Sequence, residues 1–422
     1  MPKKVIKAVA DNSTQPATSP KGFTIKYPWL WLTVIILILY LPTLHFGFTD
    51  LDDSIFIRDM REYNDDVSNL ARSFRRGVFH PTNDDYYRPL FLDSMILNYQ
   101  LSGDNIAGYR FVNILFHLGC VLLLFRLLQK LGVKQLHAFL LTLIFAVHPV
   151  LSQAVIWIPG RNDSLLGIFV LSYLLFSIDY TQRQKVSSLL LSLLFLAGAF
   201  FTKETALLAP LAALILHVLI LKQRPFSRTQ GIQYATWAAG FVIYFWVRSM
   251  ATLKSGKIIL SDMLGDFFDR LPVVLQYLGK ILLPFNLSVF PTMQDTVYYF
   301  GIAALLIIAA LIGVTKEKKW NWHLAGLGFF IVFLLPALLV PKSLNEQIFE
   351  HRLYLPIIGI FILLSQTALF QNSWDSRKVS YTVFAVAGIF VLINFNHQKH
   401  YKGPLSFWEQ GYGTSPRSAY AT

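Results

Sequence analysis

Three aspartates follow directly on the first long apolar run of the chain, and their carboxylates are the groups best placed to do chemistry. Residues 29–48 contain no Asp, Glu, Lys or Arg, and Asp50, Asp52 and Asp53 come immediately after them. A carboxylate at the end of a membrane span is costly to place there, so it indicates work at the membrane surface. Such a group can deprotonate a hydroxyl or hold a divalent cation. The structural alternative is that Asp52 and Asp53 only end the span and solvate its mouth.

Further ionisable residues stand in the short polar links between later apolar runs. These are Arg88, His148, Arg161, Asp163, Lys203, Glu204, Glu350 and Arg352, with Tyr354 close by. Arginine and lysine can hold an anion such as a phosphate group. Each also has a plainer interpretation, because neighbouring acids and bases form salt bridges in turns and a His before a Pro is typical of a helix terminator.

The composition is that of a membrane protein with many spans. Mean hydropathy is +0.48. Hydrophobic residues make up 54% of the chain and charged residues 14%, against roughly 25% charged in soluble domains. The net charge of +13 lies in short loops between apolar runs, which argues against a nucleic-acid partner. Cys120 is the single cysteine, so no disulfide forms within the chain.

About eleven apolar runs are candidate spans, several of them near the lower length limit of roughly 17 residues. They are residues 29–48, 111–128, 138–157, 164–178, 186–201, 206–221, 232–250, 297–314, 320–340, 353–370 and 379–395. Residues 271–290 are also apolar, but Pro272 and Pro284 interrupt them, which favours a re-entrant or interfacial segment. The sequence therefore predicts an all-α integral membrane protein.

The charges of the loops predict an orientation. If the lysine-containing tail 1–28 is cytoplasmic, the basic clusters of alternate loops share its side, as the positive-inside rule requires. These clusters lie in residues 130–134, 183–185, 222–228, 316–319 and 377–378. The arrangement holds only if residues 271–290 do not cross. The candidate residues then share the external side, where they would form a cleft.

Two further segments fall outside the membrane in this scheme. The first external loop, residues 49–108, holds eleven Asp/Glu against six Arg and no Lys, and its apolar spacing predicts short amphipathic helices lying on the membrane. The tail 1–28 has a composition typical of mobile segments. We expect residues 29–395 to form the transmembrane catalytic domain, with 396–422 as an external tail.

Seven short motifs in chain order carry a resemblance to a known family. They read DD at 52–53, YRPL at 87–90, VNILFH at 112–117, FAVHPV at 145–150, GRND at 160–163, TKE at 202–204 and EHRLYLP at 350–356. This succession resembles the membrane half of the transmembrane-and-tetratricopeptide-repeat O-mannosyltransferases. Those belong to the GT-C class of polyprenyl-phosphate-sugar glycosyltransferases. The resemblance makes residues 396–422 a lead-in to a repeat domain.

The resemblance implies a GT-C bundle and transfer of a sugar, with a mannose-like hexose favoured. The donor would be a polyprenyl phosphate, undecaprenyl or dolichyl, and the acceptor a hydroxyl, favoured to be a protein Ser/Thr, on the outer face. The base would lie in the pair Asp52 and Asp53, with Asp52 favoured. Supporting roles would fall to Asp163, Glu204, Glu350, His148 and Tyr354. For the donor phosphate we expect Arg352, Arg88, Arg161 and Lys203, in that order.

Several alternatives stay open at this stage. The acceptor could be a lipid or a glycan, and a secondary transporter or a non-catalytic scaffold could carry ionisable residues too. Transporters usually bury such residues near the midplane, however, and show paired repeats. No metal is expected, although Asp52 and Asp53 could hold a divalent ion. A bacterial inner membrane is favoured over endoplasmic reticulum.

Overall fold

Helices make up the regular structure of the described chain, as the apolar runs predict. The computed structural model describes residues 25–79, 86–251, 260–340, 346–371 and 376–418, so nearly all of the predicted tail 1–28 lies outside it. Within these residues the extended pairing consists of an isolated bridge between Thr292 and Gln347. The prediction of an all-α protein is confirmed.

The described α-helices are numbered here in chain order. They are α1 Pro28–Tyr40, α2 Arg61–Asp65, α3 Asn69–Arg72, α4 Pro89–Ser102, α5 Ile106–Lys130, α6 Gln135–Val147, α7 Ser152–Ile156, α8 Arg161–Arg183, α9 Val186–Phe200, α10 Ala209–Ile215, α11 Arg228–Ser249, α12 Leu260–Arg270, α13 Val273–Leu282, α14 Tyr299–Gly313, α15 Trp320–Leu339, α16 Pro356–Leu364, α17 Ser376–Gln398 and α18 Pro404–Thr414.

Each of the predicted spans contains helix, but their lengths differ. Five helical stretches of the described chain are long and apolar enough to cross a membrane, and there is a sixth if α6 and the stretch Pro149–Ile156, which meet at a bend of 51°, form one broken span. The remaining runs hold shorter helices. One example is α14, with 15 residues, or about 22 Å at 1.5 Å per residue. The chain is a multi-pass membrane protein whose helices vary widely in length.

The bend between α6 and α7 follows from the sequence His148-Pro149. A residue before proline avoids the helical region, and His148 is extended, with φ −64° and ψ 120°. Its Nδ1 accepts from the backbone N–H of Val150 at 3.3 Å. Its Nε2 donates to the carbonyl of Ile281 at 2.8 Å. These contacts fit the interpretation of His148 as the residue that terminates α6.

Small residues let α15 and α16 pack closely. A methyl group on Gly326 would come within 2.5 Å of the carbonyl oxygen of Gly359 and within 2.6 Å of the backbone nitrogen of Leu363. Membrane helices lack a strong hydrophobic driving force between them, so close backbone approach supplies much of their packing energy. The Gly326–Gly359 contact thus holds together the two helices that flank the loop carrying Glu350 and Arg352.

The first polar segment does form short helices, with an apolar cluster of its own. A π-helical turn at Ile55–Asp59 precedes α2, α3 and α4. The buried side chains of this cluster are Phe56, Ile57, Val78, Phe91, Leu92, Met95, Tyr99, Tyr109 and Ile158. Residues of α5 and of the turn before α8 belong to it, so the segment is anchored on the helical bundle.

The proline-interrupted segment contains a short helix between two turns. Helix α13 has 10 residues, about 15 Å of length, whereas a hydrocarbon core is about 30 Å thick. Gly279 of α13 faces Gly301 of α14, where an added methyl group would meet backbone at 2.6 Å. This length supports the expectation that residues 271–290 do not form a clean crossing.

Candidate functional site

Asp53 is held by the turn in which it lies. Its side chain is fully buried. One carboxylate oxygen accepts from the backbone N–H of Thr49 at 2.7 Å, and the other accepts from the Thr49 hydroxyl at 3.0 Å and from the N–H of Ser54 at 3.2 Å. Burial raises the pKa of Asp53, and the bonds from Thr49 oppose that shift. These contacts fix the shape of the turn.

Asp52 is held differently from its neighbour. It is half-buried, and no hydrogen bond to its side chain exists within the described ranges of the chain. Burial and the charge of the adjacent Asp53 together raise the pKa of Asp52 to about 6, against the lowering effect of Arg88. A carboxylate with a raised pKa and free oxygens has the properties of a general base near neutral pH.

Arg110, which the sequence analysis did not single out, anchors the chain just before these aspartates. Its guanidinium is fully buried and donates to the carbonyls of Phe46 and Gly47 and to that of Ile156 at 3.2 Å. Its charge lowers the pKa of Asp53. The available signal for this role was an arginine directly before the apolar run 111–128.

Arg88 joins the first polar segment to the link between α9 and α10. Its Nε donates to Glu204 Oε2 at 3.0 Å. The backbone N–H of Tyr87 donates to Glu204 Oε1 at 3.2 Å, and the N–H of Leu90 donates to the carbonyl of Phe201 at 3.0 Å. Two segments more than a hundred residues apart in sequence are thereby placed at one site.

Lys203 and Asp163 form a second ion pair beside the first. Lys203 Nζ donates to both oxygens of Asp163, at 2.7 and 2.8 Å. His351 Nε2 lies 4.0 Å from Asp163 Oδ2, and its Nδ1 lies 3.0 Å from Gln153 Oε1. Burial lowers the pKa of His351 well below its usual value, and so do the charges of Lys203, Arg352 and Arg88. His351 is therefore neutral and does not compensate a negative charge here.

Arg352 is a third cation near these two ion pairs, and it lacks a carboxylate partner within the described part of the chain. Its Nη1 donates to the carbonyl of Gln347 at 3.0 Å, its side chain contacts that of Tyr277, and its guanidinium carbon lies 5.8 Å from the ring centre of Phe349. These neutral contacts orient the guanidinium and leave its charge uncompensated.

The charges of Arg88, Lys203 and Arg352 all lower the pKa of His351, so all three cations lie within electrostatic reach of that ring. Two carboxylates, Asp163 and Glu204, pair with the first two. The group, which we call the cationic cluster, thus keeps one excess positive charge, and Arg88 also acts on Asp52. Arg88 is therefore the member of the cationic cluster whose charge reaches Asp52.

Arg161 has a different environment from the other predicted phosphate ligands. It is fully buried, and its guanidinium donates to Asn113 Oδ1 at 2.8 Å, Asn98 Oδ1 at 2.9 Å and the carbonyl of Tyr109 at 2.8 Å. With its donors used by neutral acceptors, Arg161 is geometrically suited to joining α4, α5 and α8. Its predicted contact with a donor phosphate stays untested and is less favoured by this geometry.

Glu350 sits in a buried ion pair that sequence reasoning did not foresee. Lys280 Nζ of α13 lies 2.5 Å from Glu350 Oε1, the N–H of Ser288 donates to the same oxygen at 2.8 Å, and both charged side chains are fully buried. The second oxygen, Oε2, lies 3.8 Å from His397 Nε2. The pair fixes the turn that carries Arg352.

Tyr354, one turn further along, belongs to the helical interior. Its hydroxyl lies 2.8 Å from His117 Nδ1, and His117 Nε2 contacts the carbonyl of Ala146 at 3.1 Å. Gly167 permits this packing, since an added methyl group would come within 3.0 Å of the Tyr354 ring. Tyr354 therefore helps to pack the helices that carry the site.

No group of three or more His, Cys, Asp or Glu side chains in the described ranges is arranged to hold a metal ion. Asp52 and Asp53 point to different surroundings, since the oxygens of Asp53 are occupied by Thr49 and Ser54. The expectation of a reaction without a metal stays a prediction.

Comparison with known proteins finds similarity to mannosyltransferases. Residues 89–248 match the family described as dolichyl-phosphate-mannose-protein mannosyltransferase. Protein O-mannosyl-transferase F38B6.6 of Caenorhabditis elegans is 24% identical over 366 residues, 82% of this chain and 51% of that protein. Protein O-mannosyl-transferase TMTC4 of Homo sapiens is 30% identical over 348 residues, 67% of this chain and 47% of that protein. The predicted resemblance to these O-mannosyltransferases is confirmed, and the chain spans about half the length of these relatives.

A solved structure gives a weak likeness in fold. The crystal structure of ArnT from Cupriavidus metallidurans bound to undecaprenyl phosphate aligns over 93% of this chain and 79% of its own. The identity is 12% and the TM-score 0.49.

Proposed function

We propose that this chain catalyses transfer of a mannose-like hexose from a polyprenyl phosphate to an acceptor hydroxyl, favoured to be a protein Ser or Thr. The observation that carries the proposal concerns Asp52, whose carboxylate accepts no hydrogen bond within the described residues. It lies within electrostatic reach of Arg88, a member of a cationic cluster in which Arg352 has no carboxylate partner in the same described residues. Support also comes from the matching family's description, which names dolichyl-phosphate-mannose and protein. The finer points, namely the sugar, the carrier and the acceptor, are part of the proposal.

Asp52 would act on the acceptor. The incoming hydroxyl attacks the anomeric carbon of the sugar while its proton passes to a carboxylate oxygen of Asp52. The transition state has oxocarbenium character, so an ionised carboxylate nearby also stabilises the developing positive charge. One displacement on the side opposite the leaving group inverts the anomeric configuration. Asp53 would hold the turn rather than take the proton.

The cationic cluster would act on the leaving group. The bond between the anomeric carbon and the phosphate oxygen breaks, and its electron pair stays on the polyprenyl phosphate. That phosphate needs charge neutralisation rather than a proton, and Arg352 can donate two parallel hydrogen bonds to it. Lys203 and Arg88 add positive charge from the same side, each held in place by its carboxylate.

The loop charges support one orientation of the chain in the membrane. With the tail 1–28 in the cytoplasm, the site and residues 396–422 would face the external or lumenal side. The proposal keeps a bacterial inner membrane over endoplasmic reticulum, and it keeps a reaction without a metal or another cofactor.

The test uses the purified chain in nanodiscs with a synthetic polyprenyl phosphate mannose and a Ser/Thr-containing peptide. Mass spectrometry should detect a peptide heavier by one hexose, and Asp52→Asn and Arg352→Ala should each remove it. Asp50→Asn and Arg58→Ala are the matched controls, because these two residues form an exposed pair 3.7 Å apart beside the site. Near-normal transfer by both site variants would refute the assignment. Transfer to a lipid-linked acceptor and not to the peptide, with the same dependence on Asp52 and Arg352, would change the acceptor and keep the site.

A further inference from the structure

A second polar cavity lies at the ends of the helices where the predicted cytoplasmic loops meet. It has a volume of about 410 Å³. Three separate turns form it: the turn between α5 and α6, the turn between α14 and α15, and the chain that follows α16. Its lining residues are Gly132, Val133, Lys134, His137, Lys316, Glu317, Lys319, Ser365, Gln366, Phe370 and Gln371.

The lining is predominantly basic. Lys134, Lys316 and Lys319 come from two different turns and face a single carboxylate, that of Glu317. Three lysines and one glutamate thus line one cavity. Because Lys134 and Lys316 line the same cavity, the two basic clusters lie on the same face of the molecule, as the topology with a non-crossing segment 271–290 requires.

The floor of the cavity has ordered polar groups beside an apolar wall. Lys319 Nζ donates to Gln366 Oε1 at 3.0 Å, and Gln371 Nε2 donates to the carbonyl of Glu317 at 2.6 Å. Ser365 is almost completely buried, with 3% of its surface exposed. The ring of Phe370 closes one side, 5.5 Å from that of His137. A cavity with lysines, ordered polar groups and an apolar wall suits the ionic headgroup of a molecule whose remaining part is apolar.

We propose that this cavity binds a phosphate-bearing anion, as the headgroup of an anionic lipid in the adjoining leaflet. Basic pockets between membrane helices attract such headgroups, and each lysine near the surface favours binding by about fivefold. The site is at the opposite end of the bundle from the cationic cluster and does not depend on the transferase proposal.

The experiment measures lipid retained by the delipidated full chain in native mass spectrometry. Phosphatidylglycerol is titrated against phosphatidylcholine, and a second arm offers soluble glycerol phosphate. We expect saturable retention of phosphatidylglycerol, weakened about tenfold or more in the double variant Lys316→Gln/Lys319→Gln. The control is Lys318→Gln, which removes one charge from the same turn at a residue that does not line the cavity, and it is compared with the single variants Lys316→Gln and Lys319→Gln as well as with the double variant.

Three outcomes decide the matter. Lipid retention that falls in the double variant and not in the control supports the headgroup assignment. Binding of glycerol phosphate with the same lysine dependence, and no lipid retention, supports the phosphate site with a soluble source. Equal losses in the double variant and the control, or no preference for the anionic lipid, overturns the proposal.

Discussion

Lys203 donates to both carboxylate oxygens of Asp163, at 2.7 and 2.8 Å, from the link between α9 and α10 to the first turn of α8. Both side chains are largely buried, with 11% and 9% of their surfaces exposed. Burial lowers the pKa of Lys203, Asp163 opposes the shift, and Arg88 and Arg352 add to the lowering. Asp163 therefore helps to keep Lys203 protonated within the cationic cluster.

Removing one partner of this pair should destabilise the protein more than removing both partners. Lys203→Met leaves the Asp163 carboxylate buried without its cation, and we expect a loss of roughly 3–5 kcal/mol in the free energy of unfolding. The double variant Lys203→Met/Asp163→Leu should recover much of that loss, since no charge remains unpaired. Denaturant unfolding in detergent micelles measures both. A double variant as unstable as the sum of the single ones would contradict this account.

Transfer should depend on pH through the ionisation of Asp52. Burial raises its pKa to about 6, and the base must be deprotonated to accept a proton. Activity should therefore be high above pH 6 and should fall about tenfold per pH unit below it. Asp52→Asn should abolish transfer at every pH, whereas Asp53→Asn should lower stability through the Thr49 turn. The profile of kcat/KM against pH is the measurement. A profile flat from pH 5 to pH 7 is the result that this assignment does not allow.

Arg161 and Arg352 should respond differently to the same conservative change. Arg161→Lys cannot replace the fan of bonds to Asn113, Asn98 and the Tyr109 carbonyl, so we expect a loss of about 2–4 kcal/mol in stability. Arg352→Lys should leave stability within about 1 kcal/mol, because its contacts are few and neutral, and should weaken donor binding. Thermal unfolding and donor titration on both variants separate the two roles. A normal melting temperature for Arg161→Lys together with weakened donor binding would restore Arg161 to the phosphate site.

Gly359→Ala should disrupt the α15–α16 contact. The added methyl group would meet the carbonyl of Gly326 and the backbone nitrogen of Phe330 at distances too short for a side chain. We expect a loss of about 1–3 kcal/mol, as for other overpacked sites. Gly231→Ala in α11 is the matched control, since nothing lies within 4 Å of its methyl position. There the change should be neutral or stabilising by up to about 1 kcal/mol. Equal effects at both glycines would show that the close approach is not a stabilising contact.

The amino-acid sequence by itself determined the helical membrane class, the positions of the apolar runs and the residues worth testing. Apolar length and loop charge are local properties of the chain, and Asp52, Arg88, Lys203 and Arg352 stand out because ionisable groups are rare in it.

Only the tertiary structure decided how these residues are used. Partners such as Glu204 for Arg88, Lys280 for Glu350 and Asn113 for Arg161 come from distant segments, so spacing along the chain could not pair them. The same holds for Asp52 and Asp53, which are identical in type and adjacent in sequence. Their roles separate because the turn at Thr49 binds one carboxylate and leaves the other free, which is a matter of three-dimensional hydrogen bonding and burial.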